Sequence, residues 1–374
     1  MNKNIRFSVP NITLSDTKIV TQILRSGWLT HGPYTEKFEN EFKKFTKSKY
    51  AITVSSCTAA LHLSCIAANF KKNDEVIVPA MTHTATAHAV EYTGAKVIFA
   101  DIDFNTGNLN LENIKKRISH KTKGVIVVHM AGLSSEIIKI KKFCKHKNLI
   151  LIEDCAHGLG TRSDGIHVGN FGISGCFSFY PTKQITTGEG GMLITNNRKF
   201  YMKIKKLKAF GIDKDIKDRK KQGEYDVKSL GFNYRMTDFQ AALGYRQIIS
   251  YKKNLKKRIE IAKLYKKNFE KFKVIKTMPY SKNCSYFVFQ IFCKHRDKLL
   301  KMLKHNNIGV SVHYNTPLPK MSYYQKKYKL LKKHYINSYE YGETNISLPV
   351  YPELKKNNIN MICNKIIDFL KNEK

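Results

Sequence analysis

The sequence predicts an α/β fold, with a mostly parallel sheet in a large first domain and a smaller α+β domain behind it. Three observations predict this. Between residues 50 and 197, short apolar runs rich in β-branched residues alternate with helix-like stretches. Most of those runs are continuous Val/Ile/Leu blocks rather than alternating patterns, which is how strands buried on both faces read. The chain has 374 residues and is 42% apolar, longer than one domain of roughly 100–200 residues and able to bury a core without staples.

The strands are expected at Tyr50–Ser55, Glu75–Pro79, Lys96–Ala100, Gly124–His129, Leu149–Glu153, Cys176–Phe179 and Gly191–Thr195. Between them the pattern places helices at Thr58–Asn69, Thr84–Tyr92, Leu111–Ile118 and Glu136–His146. The segment Asp213–Lys228 is polar and without periodicity, and reads as a mobile loop. A long helical pattern begins at Thr237 and carries the chain out of the large domain. Beyond it the pattern gives a strand at Ser285–Phe292 and helices at Asp297–His305 and Asn360–Lys371. The expected division is 1–250 for the large domain and 251–374 for the small one.

Composition limits the function classes. No apolar run approaches the ~18 residues of a membrane span. The first residues, MNKNIRFSVPNITL, lack a continuous apolar core, so no secretory signal is read and the cytoplasm is the expected compartment. Eight cysteines form no C-x-x-C pair, which removes the main support for zinc-ribbon and thioredoxin readings; Cys65, Cys155 and Cys176 sit in apolar runs as reduced core thiols would. Lys and Arg outnumber Asp and Glu by 66 to 29, a formal charge of +37. The basic residues are nearly all lysines spread along the chain, denser at Arg198–Lys208, Lys252–Lys276 and Lys326–Lys333. With no nucleic-acid motif beside them, they read as solvated surface rather than a nucleic-acid interface.

Three segments carry chemistry. The first is CFSFYPTKQITTGEGGMLIT, residues 176–195, where Lys183 stands between apolar strands in a turn rich in Gly and Thr. It is either a solvated loop lysine or a desolvated one, whose depressed pKa suits it to Schiff-base chemistry. The second is LILIEDCAHGLG, residues 149–160, a buried strand ending in Glu153 and Asp154. Ligands of open α/β sheets sit at such carboxyl ends. Alone, either acid reads as a cap or loop residue. Paired with Lys183, it is the carboxylate that a pyridoxal phosphate enzyme sets against the pyridinium nitrogen. The third is ITVSSCTAALHLSCIAANF, residues 52–70, where Ser55-Ser56-Cys57-Thr58 precede an Ala-rich helix. That is either ordinary N-capping or a phosphate site at a helix N-terminus. There is no P-loop, GLGTRS lacks the third glycine of a dinucleotide fingerprint, and the histidines have no metal-site spacing.

These residues, with others in order along the chain, resemble the DegT/DnrJ/EryC1/StrS family of nucleotide-sugar aminotransferases. The resemblance runs from about Gly27 to the C-terminus. It is carried by GWLTHGPYTEKFE at 27–39, SSCTAALHL at 55–63, DEVIVPAMTHTATAHAVEYTGAKVIFADID at 74–103 and VIVVHMAG at 125–132. It continues in IEDCAHGLG at 152–160, FSFYPTKQITTGEGG at 177–191, GFNYRMTDFQAALG at 231–244, GVSVHY at 309–314 and SLPVYP at 347–352. The resemblance implies fold type I of the pyridoxal 5′-phosphate enzymes, the aspartate-aminotransferase-like fold. It implies Lys183 as the cofactor-bearing lysine and Asp154 as the partner of the ring nitrogen. His83 falls where the family stacks an aromatic residue on the ring; a core histidine is the alternative. His157 matches a position, often Gln, near the ring hydroxyl. Ser178, Cys57 and Thr58 match the phosphate site. Asn233 matches a phosphate contact from the neighbouring subunit, which implies a homodimer with shared active sites. Trp28, Glu189, His313 and Tyr314 match substrate-side positions.

Cys57 departs from the family's common Gly, a change tolerated where the backbone avoids positive φ. The activity implied is ping-pong transfer of an amino group from L-glutamate to a nucleotide-linked keto-sugar, giving an amino-sugar for surface glycan or related biosynthesis. Two rivals remain at this level. One is a sugar dehydratase of the same family, disfavoured because that branch loses the lysine. The other is a nucleic-acid-binding regulator on an inactive fold, opposed by the intact Lys183–Asp154 pair.

Overall fold

The computed structural model describes residues 4–213, 221, 223–270, 272 and 275–372. The chain opens with two helices, α1 (Leu14–Ser26) and α2 (Pro33–Thr46). Thr13 and Asp16 form a reciprocal capping box at the start of α1, and Gly27, with φ of 70°, ends it. There follow β1 (Tyr50–Val54), α3 (Cys57–Ala67), β2 (Glu75–Pro79), α4 (Thr84–Glu91), β3 (Lys96–Ala100), α5 (Leu111–Lys115) and β4 (Thr122–Val128). The order continues with α6 (Ile137–His146), β5 (Ile150–Asp154), the short hairpin β6 (Arg162–Ser163) and β7 (Ile166–His167), β8 (Ser174–Ser178), β9 (Gly191–Thr195) and α7 (Arg198–Leu207). A 33-residue helix, α8 (Asp238–Glu270), leads out of this layer. Then come β10 (Lys276–Thr277), β11 (Phe289–Phe292), α9 (Arg296–His305), α10 (Ser322–Tyr328), α11 (Ile336–Thr344), β12 (Asn345–Leu348) and α12 (Lys356–Asn372). No helix among the described residues is long and apolar enough to cross a membrane.

The central sheet has seven strands in the order β1-β9-β8-β5-β4-β2-β3. The pairs from β3 through β8 are parallel, while β8/β9 and β9/β1 are antiparallel. Every expected strand of this sheet forms, with ends moved by two residues at most. Successive side chains point to opposite faces, and both faces are covered. Val76, Val78, Ile126, Ile152 and Cys176 pack with α3, α4 and α7. Ile77, Val125, Val127 and Leu151 pack with α5 and α6, and Phe177, Met192 and Ile194 pack with α2 and α8. This is why the strands lack alternation in the sequence.

The antiparallel sheet β10-β11-β12, with α9 and α12, encloses a second core around Tyr265, Phe289, Leu299, Ile346 and Ile366. Strand β11 is four residues shorter than the expected Ser285–Phe292. The first half of that run is drawn away: Ser285 N–H donates to Gly132 O, Phe287 N–H donates to Ala131 O, and Tyr286 adopts a φ of 45°. The long helix touches both cores. Tyr251 Oη donates to Leu159 O at 2.7 Å, and two turns later Arg258 Nη1 donates to Tyr286 O at 3.3 Å and to Val350 O at 2.7 Å. Of the expected loop at 213–228, residues 214–220 and 222 lie outside the described residues. Its described ends are joined, by Asp213 N–H to Asp226 O and Lys228 N–H to Gly211 O.

One close approach positions the site. Gly191 opens β9 opposite Val54, and a Cβ there would meet Ser56 C at 2.5 Å and Cys57 N at 2.7 Å. Those are backbone atoms and cannot swing aside. Gly191→Ala is expected to push the start of α3 off the sheet and destabilise the fold by about 1–3 kcal/mol, the range for overpacking. A denaturant midpoint unchanged from the parent would refute the close approach.

Candidate active site

The carboxyl ends of β5 and β8 and the N-termini of α3 and α4 converge on one cleft. Strand β5 brings its two acids to opposite faces. Ile152 and Asp154 point toward α3 and α4, whereas Leu151 and Glu153 point to the other side. Asp154 is 4% exposed. Its Oδ2 accepts from Thr86 Oγ1 at 2.8 Å, and its Oδ1 from Ala156 N–H at 3.0 Å, with Cys57 Sγ at 3.9 Å. Thr82 Oγ1 in turn lies 2.9 Å from Thr86 Oγ1.

Glu153 has a different task. Its Oε1 accepts from Phe171 and Gly172 N–H and its Oε2 from Gly169 N–H, each at 2.7 Å. His129 Nδ1 accepts from Ser135 N–H, so its Nε2 carries the proton and donates to Glu153 Oε2 at 3.1 Å. Glu153, His129 and Cys155 are grouped closely enough to suggest a metal. Four donors already occupy the carboxylate's lone pairs, so this cluster pins the 169–172 loop and has no oxygen to spare for a cation.

Lys183 lies across the cleft from Asp154. Its Nζ stands 4.4 Å from the centroid of the Phe287 ring. Burial brings its pKa down from 10.5 to about 8, with Cys57 and Asp154 opposing the shift. The residue keeps partial solvent access, so the amine is desolvated without being sealed from solvent. His157 is 2% exposed and stacks on Phe287, centroids 4.2 Å apart and planes at 18°. Its carbonyl accepts from Gln184 Nε2 at 2.6 Å and Ser285 Oγ at 3.0 Å, while its Nε2 lies 3.3 Å from Tyr314 Oη. Its Nδ1 is buried without a partner.

His313 Nδ1 lies 3.0 Å from Ser347 Oγ, and its ring stacks on Phe7 at 5.7 Å. Burial, then Lys183, push the pKa of His313 down to about 3 and that of His157 well below its ordinary value. His83, the N-cap of α4, accepts from Ala85 N–H and lies 5.9 Å from Tyr314, ring to ring. Its imidazole is exposed at the cleft mouth, yet desolvation still lowers its pKa. Lys183 thus faces Asp154 on one side and His157, His313 and His83 on the other, and each of these imidazoles is held toward its neutral form.

The phosphate-site candidates meet at α3. Ser56 caps this helix by accepting from Ala59 N–H at 3.1 Å, which leaves the Cys57 and Thr58 N–H groups without intrahelical acceptors. Ser178 ends β8 opposite Gly191, whose Cα packs against Ser56 and Cys57. Cys57 starts the helix without a positive φ, so a side chain is accommodated where the family commonly has Gly. Burial raises the Cys57 thiol, and Asp154 raises it further. Trp28, at 62% exposure, and the exposed Glu189 and Asn233 lie apart. Among the described residues no hydrogen bond, ion pair or ring contact joins these three to the Lys183 cluster.

Several contributors escaped the sequence reading. Thr86 holds Asp154, Phe287 underlies Lys183 and His157, and Ser347 meets His313. The N-terminal segment also enters the site: Ser8 Oγ donates to Thr182 O at 3.3 Å, beside Phe7 on His313. Thr86 has a helical neighbourhood indistinguishable from any capping Thr, and Phe287 stands in a run of apolar residues; neither carries a local signal.

Known proteins resemble the chain over nearly its whole length. The family model described as the DegT/DnrJ/EryC1/StrS aminotransferase family matches residues 10–367. The chain is 35% identical over 367 residues to GDP-perosamine synthase of Escherichia coli O157:H7, covering 96% of this chain and 97% of that one. It is similar in structure to Helicobacter pylori PseC, an aminotransferase involved in the biosynthesis of pseudoaminic acid. That match has a TM-score of 0.91 at 29% identity, over 99% of this chain and 100% of PseC. A Streptococcus pneumoniae protein described as a sugar aminotransferase, in its PMP form, superposes with a TM-score of 0.92 at 28% identity, over 99% and 100% of the two chains.

Proposed function

The chain belongs to the DegT/DnrJ/EryC1/StrS aminotransferase family, and on that premise we propose that it moves an amino group from L-glutamate to a nucleotide-linked keto-sugar. Its fold is that of the pyridoxal phosphate sugar aminotransferases, and its cofactor is pyridoxal 5′-phosphate. The residues present fit that group. The orphaned Nδ1 of His157 is a buried polar atom in need of a partner, and the α3 N-terminus offers free N–H groups beside Ser178. Asp154 is a buried carboxylate facing the lysine. When bound, pyridoxal phosphate supplies the electron sink that a carbanion at the donor carbon requires.

The observation that carries the reading is Lys183, a desolvated amine with its pKa at about 8, sharing a cleft with Asp154. At that pKa Nζ is available as a base near neutral pH. It takes the α-proton of L-glutamate in one half-reaction and returns a proton to the sugar carbon in the other. Asp154, oriented by Thr86, keeps a negative charge against the ring nitrogen. Cys57 and Thr58 through their backbone N–H groups, with Ser178, hold the phosphate, and His83 lies against the ring. His157 donates to the ring hydroxyl. The partner subunit's Asn233 completes the phosphate contacts in a homodimer with shared active sites, which accords with the exposure of Asn233 in a single chain. Trp28, Glu189, His313 and Tyr314 form the substrate side. The division into a cofactor-binding unit at 1–250 and a small unit at 251–374, and a cytoplasmic location, belong to the same proposal. GDP-perosamine synthase and PseC, as named above, support the nucleotide-sugar substrate class.

The test is spectroscopic. The purified protein is expected to be yellow, to bleach with L-glutamate and to recover its colour with a nucleotide-linked keto-sugar. Borohydride reduction is expected to tag the peptide that contains Lys183. A protein that stays colourless and untagged after incubation with pyridoxal phosphate overturns the reading.

A further inference from the structure

The chain has a histidine, His157, at the position near the ring hydroxyl, and a histidine raises a question that an amide does not. A neutral imidazole donates from one nitrogen only, and which one depends on what the other nitrogen meets. Resting on the proposed function, we propose that Tyr314 is a positioning residue: its hydroxyl donates to Nε2 of His157, which keeps the imidazole proton on Nδ1, where it donates to the oxygen of the cofactor's ring hydroxyl.

The geometry supplies both halves. Tyr314 Oη lies 3.3 Å from His157 Nε2, and no other hydrogen bond engages that hydroxyl among the described residues. Rotating the imidazole by half a turn would put carbon in place of Nε2 and lose the contact, so the contact also selects the ring orientation. The ring has little freedom to leave it. Phe287 stacks on the imidazole at 4.2 Å, and Gln184 and Ser285 both donate to the His157 carbonyl. Nδ1, buried and unpartnered, then requires an acceptor, and an anionic ring oxygen is the strongest the cofactor offers.

The surrounding charges agree. Lys183, His313 and His83 face His157, and with burial they oppose a second proton on it. Asp154 and Cys57 face Tyr314; burial and then Asp154 raise the phenol's pKa, so it stays protonated and acts as the donor. Tyr314 therefore acts through His157, in addition to any contact it makes with substrate.

The test uses the cofactor-loaded full chain and the pH midpoint of its visible absorption band. If Nδ1–H shares the charge of the ring oxygen, that oxygen holds the neighbouring ionisable proton less tightly. Tyr314→Phe releases the tautomer and is expected to raise the midpoint by about one pH unit. Glutamine has no tautomers, so in the His157→Gln background the same substitution is expected to move the midpoint hardly at all. A shift of equal size in both backgrounds, or none in the parent, overturns the proposal. If Tyr314→Phe alone takes up no cofactor but the double variant does, the coupling stands. If neither does, Tyr314 serves packing and the proposal falls. A parent protein with no visible band would instead count against the cofactor reading itself, which separates the two failures.

Discussion

Replacing Lys183 by alanine is expected to lower amino transfer by about 10⁴-fold, the upper range for a positioned proton carrier, with the fold intact. Alanine removes the base. Arginine is expected to fail equally, because a guanidinium keeps the charge but cannot release its proton at working pH. The loss should not be one of stability. The amine has a pKa of about 8 in the fold against an ordinary 10.5. Between those values the unfolded chain holds a proton that the folded chain has released, so this site adds stability as pH rises through that window. Below it the desolvated ammonium is a burden on the fold, which alanine relieves. The check is turnover of both variants beside thermal melts of the cofactor-free chains at pH 7 and pH 10. A variant that melts early at pH 7 would make Lys183 a structural residue, and one that keeps activity would remove it from the chemistry.

The two adjacent acids at the end of β5 are expected to fail in opposite ways. Glu153→Ala strips the acceptors from three backbone N–H groups, two of them buried, and from His129. Its expected cost is about 3–5 kcal/mol, because each buried donor left unsatisfied costs about 1–3 kcal/mol, and it should appear as a lower denaturant midpoint or insoluble protein. Asp154→Asn keeps an oxygen for Thr86 or Ala156 and keeps the volume, so its midpoint should stay near the parent's. What it loses is the negative charge against the ring nitrogen, and turnover is expected to fall by about 10²–10³-fold, as for other preorganised charges. If Glu153→Ala folded normally and lost only activity, the division of labour would be reversed. The apolar run alone could not make this division, since both acids follow it; only the family resemblance singled out Asp154.

That limit is general here. The central strands were legible because burial on both faces leaves a run of Val and Ile that needs no partner to be recognised. Lys183, Asp154 and the α3 N-terminus were legible because each combines an apolar strand with an out-of-place polar residue, and their order along the chain matched one family. The reversed direction of β9 left no such mark, because an antiparallel strand buried on both faces has the same composition as a parallel one. The shortened β11 was hidden for another reason. Ser285–Val288 is apolar enough to be a strand, but its hydrogen bonds go to Ala131 and Gly132, more than 150 residues earlier. Thr86, Phe287, Ser347 and Phe7 act through such distant partners, and a local pattern carries no trace of them.

The helix α8 contributes none of the assigned site residues, yet it works as a calliper. One jaw is Tyr251, fastened two residues past His157. The other is Arg258, fastened one residue before Phe287. Seven residues of helix, roughly 10 Å and two turns, thus set the gap across which the imidazole and phenyl rings stack. A single inserted residue between the jaws would turn one against the other by about 100° and open them by roughly 1.5 Å. The spacing of the ring stack is therefore written in a turn count, beyond the reach of any substitution made in the cleft.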